Sequence, residues 1–195
     1  MNNDEYYDID SILAEHSKIP CIFLHDIDAS VNLTGDGNEI ASNSRVELPF
    51  WMAKVLAQYR LPNGESIVTI ELPRAYGTRV RNSLDASPTS IDFRQVSPYF
   101  YQFGTKLYDL IIDDQLPATL EKAFKARLKE IMNISLTGST NVGQDFLQKL
   151  DETEKELFKA GQESTAELRK WRHRRRQQLK PVSLGHRISS QSSTN

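Results

Sequence analysis

The chain has a single cysteine, Cys21, so it can form no internal disulfide, and Cys-rich zinc modules are excluded with it. Histidine is almost as scarce. His16, His25, His173 and His186 show none of the paired spacings that build a zinc site. Long apolar runs are missing too, far short of the roughly 20 residues a membrane-spanning helix needs, and mean hydropathy is negative. A soluble protein without membrane contact is expected. The opening Met1-Asn2-Asn3-Asp4-Glu5 is acidic where a secretory or transit leader is basic, which predicts an intracellular protein. No Gly-x-Ser-x-Gly elbow occurs, and Thr34-Gly35-Asp36-Gly37 lacks the third glycine and the Lys-Ser/Thr pair of a phosphate-binding loop. Neither catalysis nor a nucleotide cofactor has an anchor, so the expectation is a non-enzyme with no cofactor and no metal.

What is present is charge asymmetry and clustered aromatics. Residues 169–195 carry eight basic residues and no acid, leaving 16 basic against 26 acidic residues upstream. The basic stretch, with Arg172, Arg174, Arg175 and Arg176 as candidate contacts, reads as a solvated helix end, an import signal or a polyanion contact. Trp171 within it either stacks on a base or anchors the core. The aromatics lie in Leu48-Pro49-Phe50-Trp51-Met52-Ala53 and Pro98-Tyr99-Phe100-Tyr101-Gln102-Phe103, each opening a helix. On a helix from Ser97 to Ile112, Phe100, Phe103, Leu107, Leu110 and Ile111 fill one stripe, and Tyr101, Tyr108 and Ile112 a second. With a hydrophobic content of 38%, the second wall against such a helix is expected to be another protein chain.

Along the chain, strands come first. Asp8 is placed to cap a short helix through Ile9, Ile12 and Leu13. Ile19-Pro20-Cys21-Ile22-Phe23-Leu24 has strand composition, with Pro20 expected near the strand start or on an edge. Gly35-Asp36-Gly37-Asn38 signals a turn and Arg45-Val46-Glu47-Leu48 a further strand. Ile67 to Leu72 reads as an extended connector and Pro73 as the start of a second helix ending near Ser87-Pro88. A helix from Pro117 to Ile134 sets Leu120, Phe124, Leu128 and Ile131 against Lys122, Lys125 and Lys129. Asp145 with Gln148 resembles a capping box for a long last helix, whose seam passes through Phe146, Leu150, Thr153, Leu157, Ser164 and Trp171. The fold class is therefore α+β: a small β-rich domain over 1–47, a mostly α-helical bundle over 48–178, and a Ser-rich disordered tail over 179–195.

The one cluster with acid/base or metal potential is His25-Asp26-Ile27-Asp28, and it reads equally as a polar turn closing a strand. Cys21, inside an apolar strand, reads as an inert buried thiol.

Several segments, taken in order, resemble subunit 3 of the GINS complex. They are Tyr6-Tyr7-Asp8-Ile9-Asp10-Ser11-Ile12-Leu13-Ala14, Ile19-Pro20-Cys21-Ile22-Phe23, Leu48-Pro49-Phe50-Trp51-Met52-Ala53, Phe146-Leu147-Gln148-Lys149-Leu150-Asp151-Glu152-Thr153-Glu154 and Arg169-Lys170-Trp171. The resemblance implies a nuclear, non-catalytic eukaryotic replication factor. It would be one of four related subunits, each with a helical A domain and a small β-rich B domain, the B domain coming first in subunits 2 and 3. It implies as partners the three other GINS subunits and, through the tetramer, the MCM ring and a RecJ-like protein in the replicative helicase, which it links to the leading-strand polymerase. DNA contact on this reading is indirect or weak. The interface candidates it leaves are Tyr6, Tyr7, Ile9, Phe50, Trp51, Tyr99, Phe100, Tyr101, Phe103 and Tyr108, with Tyr6, Tyr7 and Ile9 held near the tetramer centre. Two alternatives remain: an autonomous nucleic-acid-binding module using the basic C-terminal helix, and a small hydrolase using Asp26 and Asp28.

Overall fold

The computed structural model describes residues 7–31, 33, 35–137 and 143–178, the last four as backbone alone. Tyr6, the tail from 179 to 195 and the side chains of Arg175 and Arg176 lie outside the described residues. Asp8 caps α1 (Ile9–Glu15) as its position suggests, its carboxylate accepting the N–H groups of Asp10 at 3.3 Å and Ser11 at 3.2 Å. Three antiparallel strands follow: β1 (Lys18–Phe23) in the centre, flanked by β2 (Arg45–Pro49) and β3 (Val68–Ile70). Cys21 stands opposite Val46 on one side and Ile70 on the other.

Pro20 is the third residue of this central strand, near its start and not on an edge. Its carbonyl accepts the Glu71 N–H at 2.9 Å. The missing Pro20 N–H therefore faces the β3 flank opposite Glu71, where it removes the return bond of that pair and β3 ends. The segment 67–72, expected as an extended connector, supplies β3. A boundary between residues 47 and 48 falls inside β2, and α2 (Phe50–Gln58) lies in sequence between two strands of the sheet.

Helices make up the rest: α3 (Thr78–Ala86), α4 (Phe93–Val96), α5 (Phe100–Tyr108), α6 (Gln115–Thr137), α7 (Gln144–Leu147) and α8 (Glu152–Gln178). The helix expected from Pro73 is a single turn over Arg74–Tyr76, then a break at an extended Gly77 before α3. The helix expected from Ser97 begins at Phe100, because Ser97 is extended. α6 starts two residues before Pro117, whose missing N–H belongs to the first turn, where no intrahelical acceptor exists. The last helix is not capped by Asp145. A lone turn, α7, intervenes, and α8 opens at the Asp151-x-x-Glu154 box, in which the Asp151 N–H donates to Glu154 Oε2 at 3.2 Å.

Sheet and helices share one core. Ile19, Cys21, Phe23, Leu48 and Val68 from the strands meet Phe50, Tyr76, Phe93, Phe100, Phe103, Leu107 and Leu116 from the helical part. A second cluster of Ile131, Ile134, Phe146 and Leu150 joins the far end of α6 to the start of α8. Gly161 makes that pairing tight, since a Cβ there would lie 2.7 Å from Ser135 Oγ. The expected seam stops near this point: Leu157 is partly exposed and Trp171 is 54% exposed. From Gln162 to Arg174 every side chain except Thr165 is exposed, so α8 leaves the body without an apolar face to hold it.

Gly104 sets the distance between α5 and α6. A Cβ at this position would sit 2.9 Å from Leu120 Cδ1 and 3.1 Å from Tyr76 Cε1. Overpacking of this kind costs about 1–3 kcal/mol, more than the roughly 1 kcal/mol that Ala gains over Gly in a helix. Gly104→Ala is therefore expected to lower the urea unfolding midpoint with an unchanged slope. A raised midpoint would mean that Leu120 yields its place without penalty.

Candidate functional site

The aromatic helix α5 is buried on two sides, but this chain supplies the second wall for most of its length. On the first side Phe100 stacks between Phe93 and Tyr76 at centroid distances of 4.3 and 4.8 Å, and Phe103 meets Phe50 edge-on at 5.4 Å. On the second side Tyr101 meets Phe124 of α6 edge-on at 5.1 Å, and its hydroxyl donates to Glu154 Oε1 of α8 at 3.1 Å. This moves Phe50, Phe100, Tyr101 and Phe103 out of the candidate contact surface and into the internal core, because four other elements of the same chain cover them. Tyr99 is half-buried and Tyr108 exposed.

Sequence reading gave no role to Arg127, which sits on the buried face of α6 and is 0% exposed. All five of its N–H groups are matched. Nε donates to Glu154 Oε1 at 2.7 Å and one terminal nitrogen to Glu154 Oε2 at 2.8 Å. The remaining donors reach the carbonyls of Pro88 at 2.8 Å, Ile91 at 3.1 Å and Lys149 at 3.1 Å. The rings of Phe93 and Phe146 flank the guanidinium with centroids at 4.2 and 5.0 Å. Asp151 completes the network by capping two helices at once: one oxygen takes the Thr153 N–H at the start of α8, the other the Tyr101 N–H at the start of α5 at 3.0 Å. The signal that could have found this cluster was the pair Asp151 and Glu154 at capping-box spacing.

With those groups internal, the exposed apolar side chains define the outer surface. α1 buries only its small residues Ser11 and Ala14 and leaves its large apolar side chains outside. Its polar residues Ser11 and Glu15 face α5, where Lys106 Nζ donates to them at 2.7 and 2.6 Å. Ile9, 70% exposed, points outward with Ile12 and Leu13, just after the exposed Tyr7. On α2, Trp51 is 45% exposed and Val55, one turn on, is exposed as well. Apolar stripes presented outward in this way are candidate contact surfaces.

The other candidates resolve into local structure. Asp26 accepts the Ser42 N–H at 2.6 Å and Asp28 the Ser30 N–H at 2.8 Å, which holds the Asp28 carboxyl below the usual carboxylate range. His25 faces Glu65 at 3.3 Å. Among the described residues no three of His, Cys, Asp and Glu converge as metal ligands. Burial, helped by the Glu71 charge, pushes the Cys21 thiol up to about 11, far from the thiolate form a nucleophile needs. Arg172 and Arg174 are exposed near the end of α8.

Two family models match the chain: the PSF3 N-terminal domain over residues 7–58 and the GINS complex protein helical bundle domain over residues 75–173. The DNA replication complex GINS protein psf3 of Aspergillus fumigatus is 36% identical over 169 residues, covering 85% of this chain and 95% of that protein. The protein of the same name from Schizosaccharomyces pombe is 34% identical over 174 residues, covering 87% and 98%. That from Candida albicans is 32% identical over 170 residues, covering 86% and 96%.

The buried network makes two predictions. Glu154→Gln leaves the Arg127 charge buried without its counter-charge and is expected to cost roughly 3–5 kcal/mol in chemical unfolding; a loss below 1 kcal/mol would show that water reaches the pair. Burial pushes the Asp151 carboxyl up to about 6, against the opposing pull of the Tyr101 and Thr153 N–H groups. The unfolded value is about 3.9, so the folded chain binds this proton more tightly, and the Asp151 contribution to stability falls as pH rises from about 4 towards about 6. Asp151→Asn gives up one capping bond and the titration together. Its unfolding midpoint is expected to be lower overall but flatter across that window, and equal slopes in both proteins would refute the assignment.

Proposed function

The chain belongs to the Psf3 family of GINS proteins, and from that premise we propose that it is a non-catalytic structural subunit of a four-subunit GINS complex acting in chromosomal DNA replication in the nucleus. It binds three sister subunits by covering its outward apolar stripes and, through the assembled tetramer, takes its place beside the MCM ring and a RecJ-like protein in the replicative helicase. The observation that carries this reading is the outward face of α1. A helix that buries only the small Ser11 and Ala14 and leaves Ile9, Ile12 and Leu13 outside gains what apolar burial provides once a second chain covers it. Trp51 and Val55 extend the same logic to α2, and aromatic side chains of this kind commonly dominate binding energy. Of the contact candidates, Tyr7, Ile9, Trp51, Tyr99 and Tyr108 keep accessible surface for this role.

Co-expression with the three other GINS-type subunits is expected to give a 1:1:1:1 particle by light scattering after size exclusion. Trp51→Asp combined with Val55→Asp should exclude the chain from that particle while leaving its far-ultraviolet circular dichroism unchanged. A chain that ignores the other three and instead binds DNA with steep salt dependence would point to the basic end of α8, where Arg169, Lys170, Arg172 and Arg174 are exposed.

A further inference from the structure

Of the eight prolines in the chain, two follow a serine and none follows a threonine. As sequence the two dipeptides, Ser87-Pro88 and Ser97-Pro98, are equivalent: each sets a hydroxyl in front of a residue that has no N–H. The fold separates them. Ser97 is half-buried in the link from α4 to α5, where its N–H donates to the Phe93 carbonyl at 2.8 Å and its hydroxyl lies against the buried Tyr76 hydroxyl. The Pro98 carbonyl accepts the Glu152 N–H at 3.0 Å. That dipeptide is locked into the network that starts α8.

Ser87 is in the opposite condition. It ends α3, is exposed, and its side chain makes no capping bond to the single turn that follows over Pro88–Ser90. Proline disfavours the helical region for the residue before it, and Ser87 takes φ −153° and ψ 89° in front of a trans Pro88. An enzyme that transfers a group to such a hydroxyl holds the main chain extended, and a following proline lets it close an apolar site there without burying an unmatched N–H. Behind Ser87 the last turn of α3 is lightly held: Asn82, Ser83, Asp85 and Ala86 are exposed, and Leu84 is its one buried side chain. Ahead of it the Pro88 carbonyl accepts an N–H of the buried Arg127 at 2.8 Å. The dipeptide thus joins a turn that frays at little cost to the cation that orders the helices.

We propose that Ser87 is a phosphorylation site for a proline-directed protein kinase, and that its phosphate loosens the last turn of α3. In the transfer, Ser87 Oγ attacks the γ-phosphorus of a magnesium-bound nucleoside triphosphate and the bond from that phosphorus to the β–γ bridging oxygen breaks. The nucleoside diphosphate leaves, and the hydroxyl proton passes to the catalytic base of the kinase. The product carries about −1.5 to −2 charges at the C-terminal end of α3, where the helix dipole is already negative and where Asp85 already engages Lys122 at 2.6 Å. Incubation of the full chain with a purified proline-directed serine kinase, Mg2+ and ATP, followed by mass spectrometry, is expected to show one phosphate on Ser87 and none on Ser97. Ser87→Ala should abolish that phosphate, and Pro88→Ala should slow its transfer by about tenfold or more. In the phosphorylated chain, amide hydrogen exchange over residues 83–87 should quicken by about two- to fivefold, the scale of a charge set against a helix dipole. No incorporation into the folded chain, whether or not a peptide of residues 82–93 is labelled, would overturn the site, as would labelling that survives Ser87→Ala. Full phosphorylation of Ser87 with unchanged exchange would overturn the loosening.

Discussion

One buried cation organises the helical part of this protein. Arg127 has no exposed surface, and its planar fork of five N–H groups is matched by Glu154 and by three backbone carbonyls drawn from two separate connections. Burying two opposite charges is expensive, several kcal/mol per ion after relaxation, and it is tolerable only when every donor and acceptor is met. That requirement acts as a geometric filter. α6 and α8 can pair in only one register if the fork is to reach both Glu154 oxygens, and the segments around Pro88, Ile91 and Lys149 must close around it at the same time. Phe93 and Phe146 exclude water from its faces and connect the network to both apolar clusters.

Asp151 carries the constraint into the aromatic core. It begins α8 and caps α5 in the same stroke, so the helix bearing Phe100, Tyr101 and Phe103 starts where the last helix starts. A Ser97 cap would have started α5 two residues earlier and turned its two stripes relative to the sheet. The electrostatic burden of this arrangement shows in the raised Asp151 carboxyl, which burial disfavours and two N–H groups only partly rescue.

Once the interior is closed in this way, what stays outside gains meaning. α1 docks through Ala14 and the Ser11 and Glu15 bonds to Lys106 and displays Ile9, Ile12 and Leu13; α2 displays Trp51 and Val55; the α5 to α6 connection displays Ile112. The second half of α8 is a different case, largely exposed, with Leu168 and Trp171 its only large apolar side chains among the described residues, and basic towards its end. A helix without an apolar stripe gets no stability from packing on its own body. Its surroundings in an assembly are therefore set by charge before shape.

Much of this was legible in the residues alone. The Asp8 cap, β1 and β2, the helix starting at Phe50 and the amphipathic α6 follow from local spacing and capping chemistry, and ordered resemblance to a known subunit named the family. Local rules determine such features because their causes lie within a few residues. Three things depended on contacts far apart in sequence. The connector at 67–72 became a strand only because β1 offers a free edge 45 or more residues earlier in the chain. Arg127 looked like one more cation on a charged helix until Glu154, 27 residues on, turned it into a core residue. The aromatic set Phe50, Phe100, Tyr101 and Phe103 carried the right pattern for two-sided burial, but periodicity reports only how many faces are apolar. Whether the second face meets another chain or this one is decided by where α6 and α8 pack, and that is a tertiary fact.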